Sequence, residues 1–290
     1  MRVLIAGGSG FIGSYLSKFL SERGYEVIIV SRDSSRGIPY DEIHRYVDGD
    51  TIIVNLAGEN IASGRWTSAK KRAIRESRIW AGRKLIEEIR RSGNKPGAFL
   101  QASAIGYYGR STDAEFDEGS PPGDDFLARL VTDWEDSTRD VEDMGIRRVI
   151  LRIGLVLARD GGAYPRMRFP FRLGLGGKIG TGKQWMSWIH IGDLVRAIEF
   201  LMKGNYSGPF NLTAPYPVRN EEFARTLCSI LRRPCLLPVP AFLLRLLFGE
   251  MAEYLLLEGQ KVVPRRLLKS GFEFRYPRLR NALESLEGVD

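Results

Sequence analysis

Seven residues near the start of the chain, Gly7-Gly8-Ser9-Gly10-Phe11-Ile12-Gly13, stand between an apolar run, Val3-Leu4-Ile5-Ala6, and a stretch of helical periodicity. They leave few folds open. A strand over 2–6 must turn at once into a helix over 11–22, in which Phe11, Ile12, Tyr15, Leu16, Phe19 and Leu20 repeat at helical spacing. Glycines at 7, 10 and 13 permit the tight turn, close approach of a ligand to the backbone, and packing of the helix on the sheet. The first amides of that helix lack intrahelical partners and carry partial positive charge, which suits a pyrophosphate. A tight turn without a ligand is the competing reading. A second strand over 26–31, apolar at Val27-Ile28-Ile29-Val30, lies at the distance a dinucleotide-binding unit requires and favours the ligand.

The rest of the first half keeps this rhythm. Strands are expected at 51–56, 98–103 and 148–153, and helices at 67–92 and 126–144, so the fold class is α/β with a parallel sheet. Residues 161–186 are rich in glycine, proline and arginine without periodicity, and read as an excursion from the sheet. A helix then follows over 193–202 with Asp193 as its N-cap, and Phe210 to Leu212 return as a last strand. The tail carries helices near 220–231 and 241–257. The expected division is a nucleotide-binding domain of 1–165 plus about 187–214, and a small, mainly helical substrate domain of about 166–186 plus 215–290.

The residues after the second strand bear on the cofactor. An acidic residue there serves the ribose hydroxyls of NAD, whereas an arginine accommodates the 2′-phosphate of NADP. Ser31-Arg32 end this strand and Asp33 follows. Ser31 can donate to a phosphate and Arg32 can pair with it, so the expected cofactor is NADP(H). In the alternative, Arg32 is a surface residue and Asp33 takes the ribose.

The glycine run, together with Asn55-Leu56-Ala57-Gly58, resembles the extended short-chain dehydrogenase/reductase superfamily. Further pieces narrow the resemblance: Gly64-Arg65-Trp66-Thr67, Ser77-Arg78-Ile79, Ser103-Ala104-Ile105-Gly106-Tyr107-Tyr108-Gly109, and Gly174-Leu175-Gly176-Gly177 running on to Trp188-Ile189-His190-Ile191-Gly192-Asp193. With Gly249-Glu250, Glu258-Gly259-Gln260-Lys261 and Gly271-Phe272, the whole chain is similar to the atypical NAD-dependent epimerase/dehydratase-like branch, the epimerase family proteins of the SDR39U1-like group. The resemblance implies a Rossmann-type parallel sheet of about seven strands with helices on both faces and a short C-terminal domain. It implies that Asn55, Leu56, Ala57 and Gly58 line the adenosine side of the cofactor; with the residues read from position, Gly7, Gly10, Phe11, Ile12, Gly13, Ser31, Arg32 and Arg78, and with Ser103, they make up the candidate cofactor contacts. Ser103 takes the place of the superfamily's catalytic serine.

One expected feature is missing. The superfamily uses a Tyr-x-x-x-Lys pair on the helix after Ser103, but no tyrosine occurs between Tyr108 and Tyr164 and no lysine between Lys95 and Lys178. General acid–base help is worth roughly 10²–10⁴-fold, so turnover needs a substitute. Tyr107 and Tyr108 are the nearest phenols, each either an acid or an aromatic wall, and Arg129 is a candidate to act on them by proximity. His190 either moves a proton or fixes a strand–helix junction. Arg152, Arg172, Gln184, Trp185 and Trp188 could line a substrate pocket. Arg65, Trp66, Lys70 and Arg78 follow Gly58 and could face the cofactor or form an ordinary helix surface. Glu135 either bonds to the 188–193 segment or faces solvent.

Composition excludes several classes. Two histidines and two cysteines without ligand spacing, Cys228 and Cys235, give no expected metal site and no disulfide framework, which fits a cytoplasmic setting. The greasiest stretch, 236–248, is broken by two prolines and Arg245, so no membrane span is expected. The net charge of +8 leaves nucleic acid as a weak third option, because no basic–aromatic block accompanies it. The function that emerges is an NADP(H)-binding oxidoreductase or epimerase-like enzyme acting on a small carbonyl or hydroxyl compound. The alternative is an NADP(H)-binding regulatory or sensor protein without turnover, and either could be a monomer or a homodimer.

Overall fold

Alternation sets the main sheet. In β1 (Arg2–Ala6), Val3 and Ile5 enter one core cluster while Leu4 and Ala6 enter another, the two-residue period of a strand covered on both faces. The structure, a computed structural model, describes every residue except Thr112, Leu236, Leu237 and Asp290. The Leu236 end of the greasy stretch therefore lies outside the described residues. The other strands are β2 (Glu26–Val30), β3 (Thr51–Asn55), β4 (Ala98–Ala104), β5 (Glu115–Phe116), β6 (Arg148–Ile153), β7 (Leu155–Ala158), β8 (Gly161–Gly162), β9 (Trp185–Met186), β10 (Trp188–His190), β11 (Gly208–Leu212), β12 (Val218–Arg219) and β13 (Lys261–Val262). Six of them form one parallel sheet in the order β11-β6-β4-β3-β1-β2.

The helices are α1 (Phe11–Ser21), α2 (Ser68–Ser92), α3 (Phe126–Asp136), α4 (Asp140–Asp143), α5 (Tyr164–Arg172), α6 (Ile191–Lys203) and α7 (Asn220–Leu231), followed by short helical segments of the tail. Leu16 and Leu20 of α1 join Leu194, Ile198 and Leu201 of α6 on one face of the sheet. On the other, Ala81, Leu85, Ile86 and Ile89 of α2 pack with Tyr40 and Ile43. A further core gathers Tyr164, Trp188, Phe223, Leu227 and Leu283 under the C-terminal helices.

The Rossmann-type parallel sheet is as expected, with six strands where about seven were expected. Beyond β2 the ladder is reduced to a single parallel bridge, Val30 to Ile38, closed by the Ser31 and Ile38 amides to the Ile38 and Ile29 carbonyls, both at 2.9 Å. Pro39 follows without an N–H and the chain coils into a 3-10 helix over Tyr40–Tyr46, so no strand extends.

Three helix expectations are also corrected. The helix expected at 126–144 breaks after Asp136, because Arg148 takes the Glu135 carbonyl (2.6 Å) and the Thr138 hydroxyl (3.1 Å). That expected at 241–257 is split at Gly249, φ +60°, into Ala241–Phe248, Glu250–Ala252 and a π turn at Glu253–Leu257. His190, not Asp193, caps α6: its Nδ1 accepts the Gly192 N–H at 3.0 Å. Asp193 lies inside the first turn, fully buried, where it accepts the amides of Arg275 (2.9 Å) and Tyr276 (2.8 Å) and pairs with Arg196. It thereby ties the C-terminal segment to the sheet.

Candidate functional site

The β1–α1 loop has no spare room. A Cβ on Gly13 would strike the Gly7 carbonyl oxygen, and one on Gly7, φ +78°, would lie 2.9 Å from the Leu56 backbone. The loop after β1 and the segment after β3 thus pack backbone to backbone where neighbouring connections leave the sheet in opposite directions, the usual place for a ligand crevice. No side chain caps α1 and no acid occupies its first turn. The amides of Phe11, Ile12 and Gly13 are therefore free for an anion. The Phe11 ring lies against Gly161 and Gly162, where any Cβ would collide with it.

At the end of β2, Asp33 is occupied within its own turn. Its carboxylate accepts the Ser35 amide (3.0 Å) and hydroxyl (2.7 Å) and pairs with Arg36 at 3.2 Å; the Ser35 bonds hold its pKa below the ordinary value. The Ser31 hydroxyl accepts the Asp33 amide at 3.1 Å. Arg32 is exposed and makes no hydrogen bond or ion pair among the described residues. Its charge reaches Glu59, whose acidity is set first by a 2.7 Å bond from Lys70.

Asn55 does not offer its side chain to a ligand. It is fully buried, accepting the Ala57 amide at 3.2 Å and donating to Gln101 at 2.9 Å, so it shapes the turn at Leu56, Ala57 and Gly58 from behind. Arg78 lies across Gly58, with a guanidinium carbon 3.0 Å from where a Cβ would be. It donates to the carbonyls of Glu59 (3.0 Å) and Ile74 (2.9 Å), stacks over Trp134, and burial pushes its pKa down to about 10. Lys70 serves Glu59 from the same helix, whereas Arg65 holds the Leu246 and Leu247 carbonyls, and Trp66 is buried against Phe126, Tyr254 and Met251.

Where the Tyr/Lys pair is missing, the structure has a buried polar chain. Ser103 donates to Glu135 at 2.5 Å. Arg152 grips both oxygens of Glu135, at 2.8 and 2.9 Å, and donates to the Tyr108 hydroxyl at 3.1 Å. Tyr108 donates to Asn211 at 2.7 Å, and the Asn211 amide donates to Glu118 at 3.0 Å. Burial opposes the charge on Arg152, but the two bonds to Glu135 more than offset it and its pKa is raised. Burial likewise pushes the Tyr108 phenol up to about 12.

This network separates the two tyrosines. Tyr108 is a buried wall, stacked on Phe116, its hydroxyl donating to Asn211 and accepting from Arg152. Tyr107 is half-buried, lies edge-on to Tyr108, and has the Arg152 guanidinium 3.4 Å above its ring. Arg129, expected near these phenols, instead holds the Asp124 carbonyl on the surface. Glu135 neither faces solvent nor bonds to the 188–193 segment. His190 fixes the β10–α6 junction, and burial lowers its pKa to about 4.

The expected pocket of arginines and tryptophans does not assemble as one unit. Arg152 belongs to the buried chain, Trp188 to the C-terminal core, and Gln184 to the Ile179 and Leu256 carbonyls. Arg172 is exposed on α5 and lines a separate hollow. Glu118 and Asn211 went unnoticed in the sequence. Their signal was weak: Asn211, like Gln101 and Arg152, is a polar residue in a strand otherwise closed to water.

Among the described residues no cluster of metal-ligating side chains occurs, and no helix is long and apolar enough to cross a membrane. Sheet order, glycine loop and crevice together define a Rossmann-type α/β protein. The model of the NAD dependent epimerase/dehydratase family matches residues 3–212, and a domain of unknown function, DUF1731, matches residues 239–286. The chain belongs to the NAD dependent epimerase/dehydratase family, within the epimerase family proteins of the SDR39U1 type. It is 42% identical to mouse epimerase family protein SDR39U1 over 99% of both chains, and 38% identical to epimerase family protein YfhF of Bacillus subtilis over 99% of this chain and 98% of that one. The crystal structure of human SDR39U1 (isoform 2) with NADPH superposes with a TM-score of 0.93 at 41% identity, covering 99% of each chain. A UDP-glucose 4-epimerase of Thermus thermophilus, solved with NAD, shares the fold at 18% identity, a TM-score of 0.77 and full coverage of both chains.

Proposed function

We propose that this chain binds NADP(H) in the crevice and uses it as an oxidoreductase or epimerase-like enzyme on a small carbonyl- or hydroxyl-bearing molecule. The observation that carries the reading is the pairing of an uncapped α1 N-terminus with an Arg32 that has no partner among the described residues, while Asp33 is tied into its own turn. The amides around Gly7, Gly10, Phe11, Ile12 and Gly13 hold the pyrophosphate. Ser31 and Arg32 take the 2′-phosphate, Leu56, Ala57 and Gly58 line the adenosine side, and Arg78 adds positive charge beside Gly58. The NADPH in the human relative's structure supports the choice of cofactor.

When bound, the nicotinamide supplies or accepts a hydride. Ser103 orients the substrate oxygen from the end of β4, its own proton directed to Glu135. Tyr107, with its hydroxyl unengaged among the described residues and Arg152 over its ring, is the proton donor. The substrate enters between the domain of 1–165 plus about 187–214 and that of about 166–186 plus 215–290.

A second reading, NADP(H) binding without turnover in a regulatory or sensor role, is favoured by one observation. The hydroxyls of Ser103 and Tyr108 already donate to protein partners. Loss of absorbance at the reduced nicotinamide band, followed across carbonyl and sugar-nucleotide panels, decides between them. Turnover that falls about 10²–10⁴-fold in Tyr107→Phe supports the enzyme. Tight NADPH binding with no turnover on any compound selects the sensor.

A further inference from the structure

Away from the crevice, four arginines converge on one open hollow of 290 Å³, lined by Arg159, Arg168, Arg172, Leu231, Arg233 and Glu287. Arg168 and Arg172 are one turn apart on α5, and Arg159 stands in the turn between β7 and β8. Arg233 follows α7, whose end is closed by Arg232 at φ +52°, the one non-glycine residue at positive φ among those described. The amides of Arg232 and Arg233 bond back to Ser229 (3.2 Å) and Cys228 (3.0 Å), which fixes Arg233 at the rim.

Among the described residues, only Arg168 of the four has a countercharge. It meets Glu287 at 3.2 Å, an oxygen that Tyr164 also bonds at 2.8 Å, and its Nε is buried with no hydrogen-bond partner. The guanidinium groups of Arg159, Arg172 and Arg233 have no hydrogen bond or ion pair among the described residues. The bland explanation is that these arginines neutralise helix ends, since α5, α7 and the helix Leu279–Glu287 all terminate here. Magnitudes decide against that as the whole reason. Four positive charges face one carboxylate and three helix C-termini of roughly −0.5 each, leaving about +1.5. A phosphate monoester carries about −1.5 to −2 near neutral pH. Guanidinium forks also match its oxygens in pairs.

We propose that this hollow binds a phosphate dianion, free or carried as a monoester on a small molecule, at a site separate from the dinucleotide crevice. None of its lining residues belongs to that crevice. Calorimetric titration of the full chain, saturated with NADPH to block the glycine loop, uses inorganic phosphate and glycerol 3-phosphate as probes. One site is expected, weakened at least about tenfold in Arg172→Glu/Arg233→Glu, with NADPH affinity unchanged. A control of equal charge change, Arg83→Glu/Lys269→Glu, keeps the site. Tighter binding of glycerol 3-phosphate assigns an organic ester, and equal or tighter binding of inorganic phosphate assigns the free ion. Absence of binding by either probe at millimolar concentration overturns the proposal, as does equal weakening in both double variants. Because the Arg172/Arg233 variant separates the hollow from the loop with or without NADPH, the result stands apart from the cofactor reading.

Discussion

Arg152 lies in surroundings that disfavour charge, yet it remains a cation because Glu135 meets it through two hydrogen bonds. Removing one member of such a buried pair strands the other. Arg152→Met is expected to lower the unfolding free energy by about 3–5 kcal/mol, and Arg152→Met/Glu135→Leu to recover much of that loss. Urea unfolding of the two variants checks this, and a double variant as unstable as the single would contradict it. His190 gives a residue-scale pH dependence. Burial holds its pKa at about 4, against 6.5 for the free side chain, with Asp193 opposing the shift and Arg275 adding to it. Between these values the unfolded chain binds more protons than the folded one. The His190 contribution is therefore complete above about pH 6.5 and declines as pH falls towards 4, by up to roughly 3 kcal/mol. His190→Gln should flatten that part of the stability curve; an unchanged slope would assign the loss to other groups.

At the scale of elements, the β1–α1 loop is the most tightly specified part. Gly13→Ala would drive a methyl group into the Gly7 carbonyl, so the loop must open or α1 must shift. A loss of about 1–3 kcal/mol in stability is expected, together with loss of NADPH binding, measurable by nicotinamide fluorescence. Wild-type binding by this variant would show that the loop is not the pyrophosphate seat. Local chemistry of this kind was legible in the sequence. The glycine spacing, the apolar runs of β1, β2, β3 and β6, and the helix over Asn220–Leu231 all follow from neighbouring residues alone. The break after Asp136 was not, since its cause is Arg148 arriving from the next strand. Nor was the cap of α6, where a histidine nitrogen took the place expected of a carboxylate.

The whole molecule shows why the crevice could be read and the polar chain could not. The glycine loop, Ser31 and Arg32 lie within one βαβ unit, so their spacing carries the information. Ser103 and Tyr108, from β4 and the 3-10 turn Ile105–Tyr108 that follows it, meet Glu135, Arg152 and Asn211 only once α3, β6 and β11 are assembled beside them. The absence of a Tyr/Lys pair was visible in the sequence; the meeting of Glu135 and Arg152 beside Ser103 required the fold. The same holds for the arginine hollow, whose lining residues are spread from Arg159 to Glu287.

The most direct test is a pair of calorimetric titrations, NADPH and NADH, into the full chain and into Arg32→Ala. NADPH is expected to bind the wild-type chain at least about tenfold more tightly than NADH. Arg32→Ala should remove about 1.5–3 kcal/mol of that affinity while leaving NADH unchanged, the range for hydrogen bonds to charged groups. Equal binding of the two nucleotides, or an Arg32→Ala variant that keeps the full preference, would contradict the assignment of this crevice to NADP(H).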